Sequence, residues 1–216
     1  MVPQPDNDGT LADWIASLPK EWTRGVDASA FGRVRAAYDT PGRHYHTWQH
    51  VLDCITHLRA ASCENPRVVF LALLFHDAVY VAGRVDNEKL SARMAHDALS
   101  GLSSISPPEL AEIERLIIVT KDHHARLGIA AHDEATLLDI DLSILAAPRD
   151  RYAQYAKQIH DEWVPLVTAD TLFRLGRVKF LRGMLASPHV YLSSSAQERW
   201  DGIARDNMAW ELRQLT

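Results

Sequence analysis

Apolar residues recur at three- and four-residue intervals along most of the chain, the spacing of amphipathic helices. Thr10 stands ahead of a short stripe of Leu11, Trp14, Ile15 and Leu18, and a second stripe of Phe31, Val34 and Tyr38 ends before Pro41-Gly42. Val51, Ile55 and Leu58 mark a helix from about Thr47 to Ala61. Asn65-Pro66 offers an N-cap and a proline at the first helical position, opening the most apolar helix, Val68 to about Val79. Asp86 or Asn87 opens the next, with Gly101 to close it. Ser106-Pro107-Pro108-Glu109 reads as a capping box ahead of Leu110, Ile113, Leu116 and Ile117. Asp133 begins a helix through Leu137, Leu138, Leu142 and Leu145, and three more are expected around 149–164, 170–186 and 194–214. No segment alternates apolar and polar residues between hairpin turns, and no repeat or long linker divides the chain. The pattern predicts an all-α, single-domain helical bundle of roughly ten helices.

Composition narrows the classes of function. A chain of 216 residues with 47% hydrophobic and 24% charged positions can bury a sizeable core and is not disordered. The formal net charge of −5 leaves no excess of cations to neutralise phosphates, so no DNA or RNA partner is expected. The longest apolar run, Val68 to Phe75, is too short to span a bilayer, and MVPQPDNDGT lacks the basic and apolar regions of a secretory signal. Two cysteines, Cys54 and Cys63, make no disulfide framework, so a cytoplasmic location is expected. Eleven histidines is the unusual count, and five of them fall between His44 and His76.

The helix leading to His76 is apolar all round in Leu71-Ala72-Leu73-Leu74-Phe75, so it belongs in the middle of the bundle. An adjacent His76 and Asp77 at its inner end are costly to bury without a partner, and a divalent cation accepts both at once. Upstream, Arg43-His44-Tyr45-His46-Thr47-Trp48-Gln49-His50 places His46 and His50 at i, i+4, a spacing that can bring two ligands to one helix face. Downstream, Asp139 and Asp141 lie two apart in a strongly apolar helix, so only one of them is expected to point inward. Helical geometry leaves that choice open. His, His-Asp and Asp, from three predicted helices, read as one site assembled in space.

The set His50, His76-Asp77 and Asp141 resembles the signature of the HD superfamily of metal-dependent phosphohydrolases, which are all-helical. A narrower resemblance is to a bacterial branch described only as predicted HD phosphohydrolases. It is carried by Arg43-His44-Tyr45-His46, Phe75 to Tyr80, Asp86-Asn87-Glu88 with Ser91-Ala92, Thr120-Lys121-Asp122-His123, and Asp139 to Leu145. It therefore covers about 43–146, the expected metal-binding core, with the helices of about 148–214 packing on it. Those later helices follow the branch more loosely, through Tyr155, Glu162 and Phe173 to Phe180.

The resemblance implies a first shell of His50, His76, Asp77 and Asp141 around one divalent ion (Mn, Fe, Co, Ni, Mg or Zn), with Asp141 preferred over Asp139. Asp77 would also hold or deprotonate the attacking water. A small phosphorylated substrate, a nucleotide by family analogy, is the implied partner, and no membrane is. Arg43 and Lys121 are candidate phosphate clamps, His46 a candidate substrate contact, and Glu88 a candidate general acid or base that also suits a helix N-terminus. His123 is expected to contact phosphate or a second metal, because binuclear HD enzymes place extra histidines in that interval. His57, His96, His124 and His132 read as packing or surface histidines, and Cys54 as an inert buried thiol. Two rival functions share the scaffold: a non-enzymatic metal- or nucleotide-binding regulatory module, and a di-iron oxygenase.

Overall fold

The computed structural model of the chain describes residues 10–122, 131–165 and 170–216. They form an all-α, single-domain bundle with no strand among the described residues. Among the described residues there are eleven α-helices where about ten were expected: α1 (Leu11–Ser17), α2 (Lys20–Thr23), α3 (Ala28–Tyr38), α4 (Trp48–Leu58), α5 (Pro66–Phe75), α6 (Asn87–Leu99), α7 (Pro107–Val119), α8 (His132–Asp141), α9 (Arg149–Trp163), α10 (Asp170–Ala186) and α11 (Ser194–Leu215). The extra one, α2, is a single turn that buries Trp22 against Phe70. No described helix is long and apolar enough to cross a membrane.

Local signals explain most of the ends. Thr10 and Ser106 each form a capping box, with Asp13 and Glu109 returning the bond to the cap backbone. Asn65 does precede the proline of α5, yet its side chain makes no cap bond. The carboxylate of Asp133, from α8, instead takes the N–H groups of Glu64 and Asn65, both at 2.7 Å.

α5 is buried from Arg67 to Phe75 and packs against α2, α4, α6, α7 and α8. That is the position its all-round apolarity demands. Around it lies the larger of two apolar cores, with Phe31, Val51, Ile55, Ile113, Leu116 and Leu137 among its buried members. A second core joins α9, α10 and α11 through Tyr152, Tyr155, Leu181, Met184 and Met208. Tyr45, from the histidine-rich stretch before α4, belongs to this second core. The candidate ligands therefore lie beside both.

Two helices stop sooner than expected at a candidate ligand. The helix through Leu73 was expected to run to about Val79, but α5 ends at Phe75 and leaves His76 at its C-cap and Asp77 in the turn beyond. The helix begun near Asp133 was expected to run through Leu145, but it changes to a 3-10 turn, Leu142–Ala146, directly after Asp141. Both breaks put a candidate ligand where the regular backbone gives out.

Candidate metal centre

The end of α5 is held by side chains from elsewhere, beside one backbone bond of its own from the Ala78 N–H to the Phe75 carbonyl oxygen (2.9 Å). The Arg43 guanidinium donates from Nη1 to the carbonyl oxygens of Asp77 (2.7 Å) and His46 (2.9 Å), and from Nη2 to that of Ala78 (2.8 Å). Its Nε donates to Thr40 Oγ1 (2.9 Å). The Asp77 N–H reaches the Tyr38 hydroxyl, and Ser91 Oγ satisfies both backbone groups of Val79. Most of these are backbone groups of the turn beyond α5, which the helix itself leaves without partners.

Into that frame come four donors. His50 sits in the first turn of α4, His76 and Asp77 at the end of α5, and Asp141 at the end of α8. One ligand atom from each lies within 4.8 Å of every other. His50 Nε2 is 3.1 Å from His76 Nε2, 3.1 Å from Asp141 Oδ1 and 3.8 Å from Asp77 Oδ2. His76 Nε2 is 3.1 Å from Asp77 Oδ2 and 3.4 Å from Asp141 Oδ1. Ligands at ~2.1 Å from a common ion lie ~3.0–3.4 Å apart along the edges of an octahedron or tetrahedron and ~4.2 Å apart across an octahedron; four of these five spacings match an edge, and the His50–Asp77 spacing of 3.8 Å falls between the two. The donor set of two imidazoles and two carboxylates fits a divalent cation.

The outer atoms of the rings support the same reading. His76 Nδ1 donates to the Leu73 carbonyl oxygen (2.8 Å), which turns Nε2 toward the group as the ring atom that a cation would take. His50 Nδ1 meets the Tyr45 hydroxyl at 3.1 Å. Two buried imidazole nitrogens 3.1 Å apart repel unless a proton or a cation shares the space. Burial opposes charge on His76, yet Asp77 and Asp141 outweigh it and raise its pKa well above the ordinary histidine value. Burial likewise opposes charge on Asp77, and the imidazoles of His76 and His46 overcome it, holding the carboxyl below the usual range. Positive charge is favoured at this position.

Known proteins offer no match to this chain, whether among family models, curated sequences or solved structures.

Geometry separates the two aspartates. Asp139 faces the other way and is 3% exposed. Its carboxylate accepts the N–H of Leu192 (2.6 Å), the N–H of Ser193 (2.9 Å) and the Ser193 hydroxyl (2.5 Å), so it ties α8 to the start of α11.

Several expected site residues have partners within the protein. Arg43, a candidate phosphate clamp, makes four hydrogen bonds to the protein, and its guanidinium lies over Tyr38. Arg43→Ala is expected to cost about 3 kcal/mol by leaving several carbonyls unpaired, and to weaken metal binding because the His76-Asp77 turn loosens. Urea unfolding and metal titration check both; a raised KM with unchanged stability would restore the clamp. Lys121 and Glu88 meet each other, at 3.7 Å, and Lys121 also bonds the Val85 carbonyl oxygen, so the structure places them as a pair at the head of α6. His46 and His50 do not share a helix face, since α4 begins at Trp48 and leaves His46 in the preceding loop. His123 and His124 lie outside the described residues.

The other histidines have ordinary partners: His57 packs on Trp200, His96 pairs with Glu114 and His132 with Asp133. Cys54 and Cys63 are free, and burial pushes the Cys54 thiol up.

Glu162, named in the resemblance, is the residue to which sequence reading assigned no role. Tyr152, Tyr155, Ile159 and Glu162 fall on one buried stripe of α9, and a carboxylate on such a stripe is the signal that could have exposed it. Burial opposes its charge, but the hydrogen bond and charge of His46 outweigh this and hold its pKa below the ordinary value.

Proposed function

We propose that this protein is a metal-dependent phosphohydrolase of the HD type, cleaving a small phosphate ester, with nucleotides as the first substrate class to test. The observation that carries the reading is the convergence of His50, His76, Asp77 and Asp141, from three separate helix ends, on spacings that fit one divalent ion. The resemblance over 43–146 supplies the reaction class, by analogy.

The burial of the four donors supports catalysis over a closed structural site. His50 and His76 are 3% and 1% exposed at the side chain, whereas Asp77 and Asp141 are 16% and 14% exposed, so the group opens to solvent on its carboxylate side. A catalytic site needs such an open side. A bound divalent ion would supply Lewis acidity, polarising a phosphoryl oxygen and easing the deprotonation of water. The protein's own part is to hold the donors: Leu73 and Tyr45 orient the two imidazoles, and Arg43 fixes the turn that carries Asp77.

The purified protein is expected to carry one divalent ion per chain, removable by chelation. An ion present at 100 times its Kd stabilises by about 2.7 kcal/mol, so chelation should lower the melting temperature measurably. Elemental analysis, thermal melts and a panel of phosphomonoesters and phosphodiesters test the reading together. Nucleotide binding without turnover would favour the regulatory module, and two irons with oxygen uptake the oxygenase. A metal-free protein that gains no stability from Mn²⁺, Co²⁺, Ni²⁺ or Zn²⁺ would overturn the metal centre itself.

A further inference from the structure

On the face of α8 turned away from the metal centre, α4, α8 and the start of α11 line a cavity of about 270 Å³. That is just below the ~300–1,000 Å³ of ordinary ligand pockets, so it suits a small molecule. Asp139 and Trp200 form part of its wall, and one basic side chain comes from each helix: His57 from α4, His132 from α8 and Arg199 from α11. Ser195 adds a hydroxyl.

The donors on this wall are largely unspent. His57 meets the Trp200 indole edge-on, with centroids 5.3 Å apart, and the Arg199 guanidinium lies 5.3 Å from the centre of the same indole. Neither makes a hydrogen bond or ion pair with a described residue. His132 uses Nδ1 on Asp133 (3.3 Å) and leaves Nε2 unbonded among the described residues. Ser195 Oγ meets the Ser193 hydroxyl at 3.4 Å. The acids nearby are engaged elsewhere. Asp139 holds the start of α11, Asp133 accepts the N–H groups of Glu64 and Asn65, and Asp53 faces Gln49 and Arg151. Burial keeps the pKa of His57 below the ordinary histidine value, and the Arg199 charge adds to this against the pull of Asp53.

A guanidinium and two imidazoles that face one cavity call for an anion. Their directions select which. A carboxylate is flat and presents two oxygens in one plane, whereas donors arriving from three helices need acceptor oxygens in three directions. A phosphate is tetrahedral and has them, and an arginine fork matches two of its oxygens at once. We propose that this cavity is a second binding site, separate from the metal centre, for a phosphate group, free or carried by a small molecule. Arg199 grips two oxygens, and His57, His132 and Ser195 each donate a hydrogen bond to the rest. The site does not depend on the phosphohydrolase reading. His57 stands two turns along α4 from His50, and Asp139 lies two residues before Asp141 on α8, so a phosphate held here also braces two helices that carry ligands of the metal centre.

Imidazole ¹H–¹⁵N spectra of the purified protein, titrated with inorganic phosphate and separately with acetate, test this. Phosphate is expected to move the His57 and His132 signals together along one binding curve and to raise the melting temperature. Acetate at the same concentration should move them far less. His57 and His132 signals unmoved at tens of millimolar phosphate would overturn the proposal. So would movement confined to His50 and His76, which puts the anion at the metal centre, and equal movement by acetate, which removes the preference for a tetrahedral anion.

The matching variant is Arg199→Gln. The side chain is exposed and has no partner among the described residues, so its melting temperature without phosphate should match that of wild type. Phosphate affinity should fall by about 10–100-fold with the loss of a charged hydrogen-bond donor, and unchanged affinity overturns the proposal. Should Arg199→Gln fail to fold, His132→Gln, also at an exposed position, decides in the same way: weakened phosphate binding supports the site and unchanged binding overturns it. The source of the phosphate is read after chelation, which protects an ester from metal-dependent turnover, with phenyl phosphate beside inorganic phosphate. Tighter binding of the ester assigns the site to a phosphorylated small molecule, and equal or weaker binding assigns it to free phosphate.

Discussion

Asp141→Asn is expected to lose its divalent ion and its turnover together while keeping its fold, and Asp139→Asn to keep the ion and lose stability. Asparagine preserves size and removes charge, so the pair of variants asks only where each carboxylate charge is used. Asp141 Oδ1 lies 3.1 Å and 3.4 Å from the two imidazole Nε2 atoms, inside the ligand group. Its loss should lower metal affinity by more than the ~100-fold that removing a supporting hydrogen bond outside the ligand shell can cost. Asp139 spends its charge on the Leu192 and Ser193 N–H groups and the Ser193 hydroxyl. An amide there must turn its NH₂ toward one of these donors. The cost is about 2–3 kcal/mol for weakened charge-assisted bonds, or roughly 4–12 °C in melting temperature for a chain of this size. Metal analysis, turnover and thermal melts of both variants check the assignment. A metal-free Asp139→Asn beside a fully loaded Asp141→Asn would reverse it.

Glu211→Ala is expected to be the most destabilising single change in the C-terminal half, by about 3–5 kcal/mol. Glu211 receives both arms of Arg177, Nε at 2.7 Å and Nη2 at 2.9 Å, and the Tyr152 hydroxyl at 2.5 Å. The Arg177 and Glu211 side chains are only 7% and 6% exposed. Removing the acid strands a guanidinium in an apolar surround, against Tyr155 and Phe180. Replacing both partners together, Arg177→Met with Glu211→Leu, should recover most of the loss, because no charge then stays unpaired. Urea unfolding of the single and double variants measures this, and a single variant within about 0.5 kcal/mol of wild type would contradict it. The cluster joins α9, α10 and α11, and α9 carries Glu162. Loss of this packing should therefore loosen His46 as well.

How far the sequence carried can be read from particular residues. The stripes of Phe31, Val34 and Tyr38, of Val51, Ile55 and Leu58, and of Leu110, Ile113, Leu116 and Ile117 all face the larger core. The capping boxes at Thr10 and Ser106 begin their helices as expected. These features depend on residues within a turn or two of each other, so composition and spacing suffice to predict them. The all-round apolarity of Val68 to Phe75 likewise placed α5 in the middle of the bundle, with His76 and Asp77 at its inner end.

Spacing stopped short at the helix ends. Nothing near Ala78 says that α5 must end at Phe75; the reason is Arg43, more than thirty residues earlier, whose guanidinium takes the carbonyl oxygens of the turn. Arg43 reads in sequence as a free cation, and only its distant partners show that it is spent. Asp139 and Asp141 are equivalent on an ideal helix pattern. The distinction comes from the start of α11, which claims the first, and from the two imidazoles, which face the second. Glu162 and His46 are separated by 116 positions and meet through the packing of α9 on the loop before α4. By itself the sequence determined every helix but the single turn α2, the buried place of α5 and the candidate ligands, because hydrophobic period and capping are local. The tertiary structure alone decided where helices break, which aspartate joins the imidazoles and which cations are already committed, because each depends on partners that the chain brings together only when folded.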